Sequence, residues 1–184
     1  MLRRTVVSVG LGTIGLLLAR LARTRGAHKV IMSEPKERRR QLAASMGATK
    51  SLDPMTQDLK TIIVQETNGI GVDISFDAVG LAITSISCIE AIRPGGTAVL
   101  MGVPKPGTKI ELYPWDLVGG EKTIETSWLL VANMESCLRL MPDLGLENIA
   151  THTIPLKDAV KGIQMCKAGE ALKVLFKIGG ENPS

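Results

Sequence analysis

The amino-acid sequence predicts an α/β fold: a doubly wound, six-stranded parallel sheet with helices on both faces. Three observations carry this reading. Six short, β-branched runs are separated by helical patterns. A glycine-rich turn joins the first run to the first helix. The 184 residues, 45% hydrophobic and 22% charged, suit one globular domain with an appendage. Right-handed crossovers leave few topologies for six such strands, and two βαβαβ halves in the order 3-2-1-4-5-6 lead among them. No repeat of fixed period and no low-complexity tract interrupts the pattern.

The first strand is expected over Thr5–Val9 and the first helix over Thr13–Arg25. That helix has Ile14, Leu17, Leu18 and Leu21 on one side and Gly26 as its stop. Lys29–Ser33 reads as strand two. Pro35 suits the first turn of a helix running to about Met46 and ended by Gly47. Lys50–Leu52 is a short third strand. Asp53-Pro54 reads as an N-cap followed by a proline at the first helical position, opening a helix that stops at Asn68-Gly69. Asp73–Phe76 is strand four. A helix follows to about Ile92, closed by Arg93-Pro94-Gly95-Gly96, and Thr97–Gly102 is strand five. Pro104-Lys105-Pro106-Gly107 is a loop, Lys122–Ser127 strand six, and Met134–Leu144 a helix.

Beyond about Ile149 the order becomes strand (His152–Ile154), helix (Leu156–Lys167), strand (Leu172–Ile178), one unit more than a six-stranded sheet needs. The expected organisation is a domain over residues 1–148 and a C-terminal strand–helix–strand tail over 149–184.

Composition excludes several functions. Twenty-two Lys and Arg against 18 Asp and Glu give a net charge of +4, too weak to argue for nucleic acid. Five aromatic residues (Phe76, Phe176, Tyr113, Trp115 and Trp128) are too few for a base-stacking platform. Cys88, Cys137 and Cys166 are odd in number and form no CxxC pair, which argues against a disulfide framework or zinc ribbon and for a reducing cytoplasm. No apolar run approaches the ~20 residues that span a bilayer. Arg3-Arg4 followed by Thr5–Ala19 imitates a signal peptide, but that stretch contains three spaced glycines and continues as a patterned helix.

Those glycines carry the chemistry. Val9-Gly10-Leu11-Gly12-Thr13-Ile14-Gly15 follows a strand and opens a helix with the spacing G-x-G-x-x-G. Gly10 allows a tight turn, Gly12 leaves room for a pyrophosphate, and Gly15 lets helix and strand approach. The helix N-terminus offers amides and a positive dipole end to phosphates. Glu34 ends strand two, 19 residues after Gly15, where a carboxylate can accept both ribose hydroxyls of an adenosine and repel a 2′-phosphate. NAD is therefore favoured over NADP. The bland reading of Glu34 is a solvated capping residue. Lys36-Glu37-Arg38-Arg39-Arg40 reads as a solvated helix face, with Arg39 placed to reach back to the adenosine end.

Gly10–Gly15, Ser33-Glu34-Pro35, Leu42–Ala48, Asp73–Gly80, Arg93–Gly102 and Thr151–Leu156 together resemble the medium-chain dehydrogenase/reductase family, over nearly the whole chain and in order. Its zinc-dependent alcohol and polyol dehydrogenases, of the butanediol, sorbitol and threonine kind, are the nearest in pattern. The resemblance implies a Rossmann fold and a pyrophosphate held by Gly10, Gly12 and Gly15 with Thr13 and Ile14. It puts Glu34 on the adenosine ribose and Arg39 beside the adenine. Ala78, Val79 and Gly80 would line the cofactor, Gly102 and Val103 approach the nicotinamide ribose, and Thr126 and Ser127 the nicotinamide amide. Lys173 takes the place of a basic residue that reaches the phosphates.

It also implies hydride transfer between a secondary alcohol and NAD in an intact enzyme, with zinc polarising the alkoxide. The zinc ligands would lie in a preceding catalytic domain that this chain lacks. With only His28 and His152, neither beside a cysteine, no metal set and no catalytic residue is expected here. Glu125-Thr126 and Trp128 depart from the family's small residue before the Ser127 position. The tail would pack on the absent domain, and strand 122–127 would pair with a second copy in a homodimer.

Other readings are a non-catalytic NAD(H)-binding or dimerising module, a short-chain dehydrogenase and a methyltransferase. The short-chain enzymes need a lysine four residues after a tyrosine, where Tyr113 is followed by Leu117.

Overall fold

Val6, Val7 and Val9 alternate their side chains across a five-residue strand, β1 (Thr5–Val9), that is buried from both faces. This strand lies at the middle of the sheet in a computed structural model of the chain, which describes residues 4–128, 134–146 and 149–179. The expected boundary at residue 148 falls outside them, as does Arg3 of the signal-like start. The chain divides into two compact units, residues 1–132 and 133–184.

In the first unit, β1 is followed by α1 (Thr13–Thr24), β2 (Lys29–Ser33), α2 (Glu37–Ala43), β3 (Lys50–Leu52), α3 (Leu59–Thr67), β4 (Val72–Asp77), α4 (Ala82–Ala91), β5 (Ile92–Leu100), α5 (Pro114–Gly119) and β6 (Thr123–Thr126). The six strands are parallel in the order β3-β2-β1-β4-β5-β6, the doubly wound topology the sequence predicts. One core cluster joins Val7, Ile31, Leu52, Val72 and Ala98 of the strands to Ile62 and Ile63 of α3 and Ile89 of α4. Each Val, Ile and Leu side chain among them contributes about 1.5–3 kcal/mol on full burial. Leu16 and Ala19 are the buried face of α1, which packs on β1 and β2.

Several elements differ from what the sequence predicts. Helix α2 starts at Glu37 rather than at Pro35, because the Glu34 carboxylate accepts the Lys36 amide and keeps Lys36 extended. Asp53 does not cap α3. It folds its own turn by accepting the Met55 amide at 2.9 Å, and Asp58 is the cap, accepting the Thr61 amide at 2.8 Å. The Arg93-Pro94-Gly95-Gly96 stretch is a bulge inside β5 rather than a helix stop. Val72 pairs with Ile92 and Ile74 with Thr97, so β5 spends three more residues than β4 over the same span. Helix α5 is an element the sequence reading leaves out, being too short for a periodic signal.

The second unit holds α6 (Met134–Leu140), a 3-10 turn at Met141–Leu144, β7 (His152–Pro155), α7 (Ala159–Ala168) and β8 (Val174–Lys177). Pro142 cannot continue the i to i−4 ladder, which shortens the helix expected to reach Leu144. Strands β7 and β8 are parallel, and α7 crosses between them. Gly162 lets α7 lie against Ile154, Val174 and Phe176.

The lower edge of the six-stranded sheet is fastened by Asp73. Its Oδ2 accepts the Thr5 amide at 2.6 Å and its Oδ1 the Arg93 Nε at 2.8 Å. Burial alone raises this carboxyl's pKa, but the Thr5 amide and the Arg93 guanidinium hold it below its ordinary value. A depressed carboxylate contributes stability above its unfolded pKa of about 3.9, and that contribution is lost as pH falls through the folded value. Asp73→Ala is expected to lower stability at pH 7 by about 1–2 kcal/mol. In denaturant titrations the gap to the unsubstituted chain should narrow as pH falls below the ordinary carboxylate range, and a gap that does not change with pH would show that the charge is not its source.

Candidate functional site

Strand β1 has β2 on one side and β4 on the other, and the chain leaves these neighbours in opposite directions. Parallel strands diverging in this way open a crevice beyond their carboxyl ends. A cleft of about 670 Å³ occupies it. Gly10 and Gly12 line it from the β1–α1 turn, Glu34, Pro35, Lys36 and Arg39 from the β2–α2 side, and Ala78 and Val79 from the end of β4. Pro54, Met55, Leu59, Leu81 and Ile83 give it an apolar portion.

The glycines of the turn differ in what they do. A Cβ on Gly15 would overlap the Gly10 carbonyl, so α1 can sit on the turn only with glycine there. Gly10 has φ +93°, and a Cβ would meet Val79 at 2.6 Å. A Cβ on Gly12 meets nothing within 4 Å. The fold makes no demand at Gly12, and the open space faces the cleft at the N-terminus of α1. This is a cradle that a side chain would fill, and a diphosphate fits the chemistry of a helix N-terminus.

Glu34 is 3% exposed. Its Oε2 accepts the Leu11 amide at 2.7 Å, its Oε1 the Lys36 amide at 3.0 Å, and Arg39 Nη1 stands 3.7 Å from Oε2. The carboxylate therefore ties the glycine turn to the start of the β2–α2 loop. It is a buried, structured acceptor rather than the solvated capping residue of the bland reading.

Asp77, at the end of β4, is the matching carboxylate on the other side of β1, and no site role was read for it from sequence. It is fully buried. Its Oδ1 accepts the Val79 and Gly80 amides at 2.9 and 3.1 Å, and its Oδ2 accepts the Ser85 hydroxyl at 2.7 Å. Its carbonyl takes the Met101 and Gly102 amides. The signal available in the sequence was an aspartate ending an apolar strand, immediately ahead of Ala78-Val79-Gly80. Gly80 and Gly102 stand backbone to backbone, and a Cβ on Gly80 would lie 2.6 Å from the Gly102 carbonyl carbon. The nearby Cys88 thiol is pushed well above its usual pKa by burial, with the Asp77 charge adding to the effect, so it is no nucleophile.

The structure thus brings Gly10, Gly12, Glu34, Arg39, Ala78 and Val79 into one cleft. Thr13, Ile14 and Gly15 form the first turn of α1 behind it. Gly80, Gly102 and Val103 pack backbone to backbone beyond the ends of β4 and β5, outside the residues that line the cleft. Thr126 pairs with Leu100 at the end of β6, and the Ser127 amide donates to the Leu100 carbonyl, both away from the cleft lining. Lys173 lies in the second unit, where its carbonyl accepts the Thr151 amide. Among the described residues no group of three or more His, Cys, Asp or Glu side chains could hold a metal ion, so these residues do not fit a zinc site. No described helix is long and apolar enough to cross a membrane.

Residues 13–143 match the sequence profile described as zinc-binding dehydrogenase. An L-threonine 3-dehydrogenase of Caldanaerobacter subterraneus subsp. tengcongensis is 28% identical over 181 residues, covering 94% of this chain and 51% of the relative. An alcohol dehydrogenase structure from Thermotoga maritima is 29% identical with a TM-score of 0.85, covering 94% of this chain and 50% of that one. A zinc-binding dehydrogenase from Sinorhizobium meliloti, solved with NADP bound, is 29% identical with a TM-score of 0.80, covering 87% and 48%. The chain spans about half the length of the relatives it matches.

The two inner glycines separate folding from binding. Gly15→Ala is expected to cost more than about 3 kcal/mol, roughly 10 °C in Tm, whereas Gly12→Ala should leave Tm within about 2 °C of the unsubstituted chain. Calorimetric melting of the two variants checks this, and equal losses would mean that the turn is packed differently.

Proposed function

This chain belongs to the zinc-binding dehydrogenase family, and on that premise we propose that it binds NAD(H) and orients the nicotinamide for hydride transfer with a secondary alcohol in a longer protein. The family implies a nicotinamide dinucleotide, and the choice of NAD rests on one observation: a buried carboxylate stands beside an open phosphate cradle in one cleft. The dinucleotide, when bound, supplies the hydride acceptor or donor.

The chain's residues supply binding and orientation. Gly12 leaves the first turn of α1 open to the diphosphate, with Gly10, Thr13, Ile14 and Gly15 shaping the turn. Each Glu34 oxygen already holds one amide and has a second lone pair to accept a ribose hydroxyl. The same charge opposes a 2′-phosphate. Arg39 lies beside the adenine, which the apolar portion of the cleft takes. Ala78, Val79, Gly80, Gly102 and Val103 carry the cofactor onward, and Thr126 and Ser127 meet the nicotinamide amide. No residue here performs acid–base work in this reading.

In titration calorimetry NADH is expected to bind at micromolar to millimolar Kd and NADPH at least tenfold more weakly. Glu34→Ser should narrow that ratio, and an NADPH preference in the unsubstituted chain would reverse the assignment. Gly12→Val should abolish NADH binding while the chain stays folded. Strand β6 is the edge of the sheet, and we propose that segment 122–127 pairs with a second copy. Sedimentation should then give a dimer, with Ile124→Pro giving the monomer; a monomer at 100 micromolar would remove the pairing.

A further inference from the structure

We infer that Arg40 is a positioning residue for the adenine portion of the cleft, acting through Asp53. The inference rests on the dinucleotide reading above and names how that site keeps its shape. Arg40 is on α2, next to Arg39, and does not itself line the cleft. Its Nη1 donates to the carbonyls of Glu34 and Pro35, at 2.7 and 2.6 Å, and stands 3.2 Å from Asp53 Oδ2. One guanidinium therefore fastens the backbone that follows β2 to the turn that follows β3.

Asp53 passes this constraint to the cleft. Its Oδ1 accepts the Met55 amide at 2.9 Å, and its carbonyl accepts the amides of Thr56 and Gln57. Pro54 and Met55 are the cleft residues this turn carries. Met55 is 78% exposed, so packing does little to place it and the Asp53 turn sets its position. The pair is itself about four-fifths buried, with side chains 19% and 22% exposed, which weakens solvent screening. All three contacts fall on Nη1, so lysine at position 40 keeps part of the tie, as a compact charge on a more flexible stem.

The Glu34 carboxylate is held separately, by the Leu11 and Lys36 amides, and the Gly12 cradle is set by β1 and α1. Loss of Arg40 therefore loosens the apolar wall at Pro54 and Met55 and leaves the phosphate cradle in place. This gives a split that general damage to the fold would not produce. Against ADP, Arg40→Gln is expected to raise Kd about tenfold, Arg40→Lys by an intermediate factor, and Asp53→Asn in the same direction. The Arg40→Gln/Asp53→Asn double variant should be no worse than the weaker single one. Against inorganic pyrophosphate all four variants should match the unsubstituted chain.

Calorimetric titration of the full chain with both probes makes the test. Equal weakening toward ADP and pyrophosphate, or no weakening toward either, overturns the role given to Arg40. Should Arg40→Gln not fold, Asp53→Asn decides by the same comparison. A chain that binds pyrophosphate but not ADP overturns the adenosine reading itself, an outcome visible in the unsubstituted protein before any variant is made.

Discussion

Two buried carboxylates hold the binding face together. Glu34 follows β2 and Asp77 ends β4, the two strands that flank β1, and Val9 of β1 is in register with Ser33 on one side and Asp77 on the other. At this edge a parallel sheet runs out of ladder partners, and the loops that leave it carry amides that burial would orphan. Glu34 takes the amides of Leu11 and Lys36, and Asp77 those of Val79 and Gly80. The exchange is mutual, because a carboxylate this deeply buried costs several kcal/mol unless its oxygens are met by donors. The crevice between the two loops is thus pre-formed, and a ligand entering it does not have to order the loops first.

The glycines divide along the same line. Gly15, Gly80 and Gly102 are fixed by backbone that stands where a Cβ would go, so the fold requires them. Gly12 is not required in that sense, since a side chain would project into open space. A G-x-G-x-x-G spacing alone cannot distinguish these roles. The distinction appears only when the turn is seen against its neighbours, and it is the unneeded glycine that points to a ligand.

The sheet order was legible because each strand is a short β-branched run and the crossovers have one hand. The ends of helices were less so, for a local reason at each place. Side chains at Glu34 and Asp53 hydrogen-bond backbone two residues on, and this competition delays the helices that proline seemed to start. At Arg93–Gly96 a Pro-Gly-Gly signal meant a bulge rather than a stop, since Ile92 was already paired with Val72. Glu34 was legible from its spacing after the glycines. Asp77 was not, because its partners Val79, Gly80 and Ser85 are recognisable only once the β4–α4 loop has folded back on it. Arg40 was hidden for a similar reason, lying in a basic run whose bland reading as a solvated face holds for Arg38 but not for Arg40, whose guanidinium meets Asp53.

The same constraint decides what kind of chemistry these residues can take part in. Around the cleft the buried polar groups already serve the backbone: Glu34 and Asp77 each hold two amides, and Ser85 donates to Asp77. A cradle for phosphates needs only fixed dipoles and space. The upper edge of this sheet has dipoles fixed by buried carboxylates and space left by one glycine, which is what a diphosphate requires.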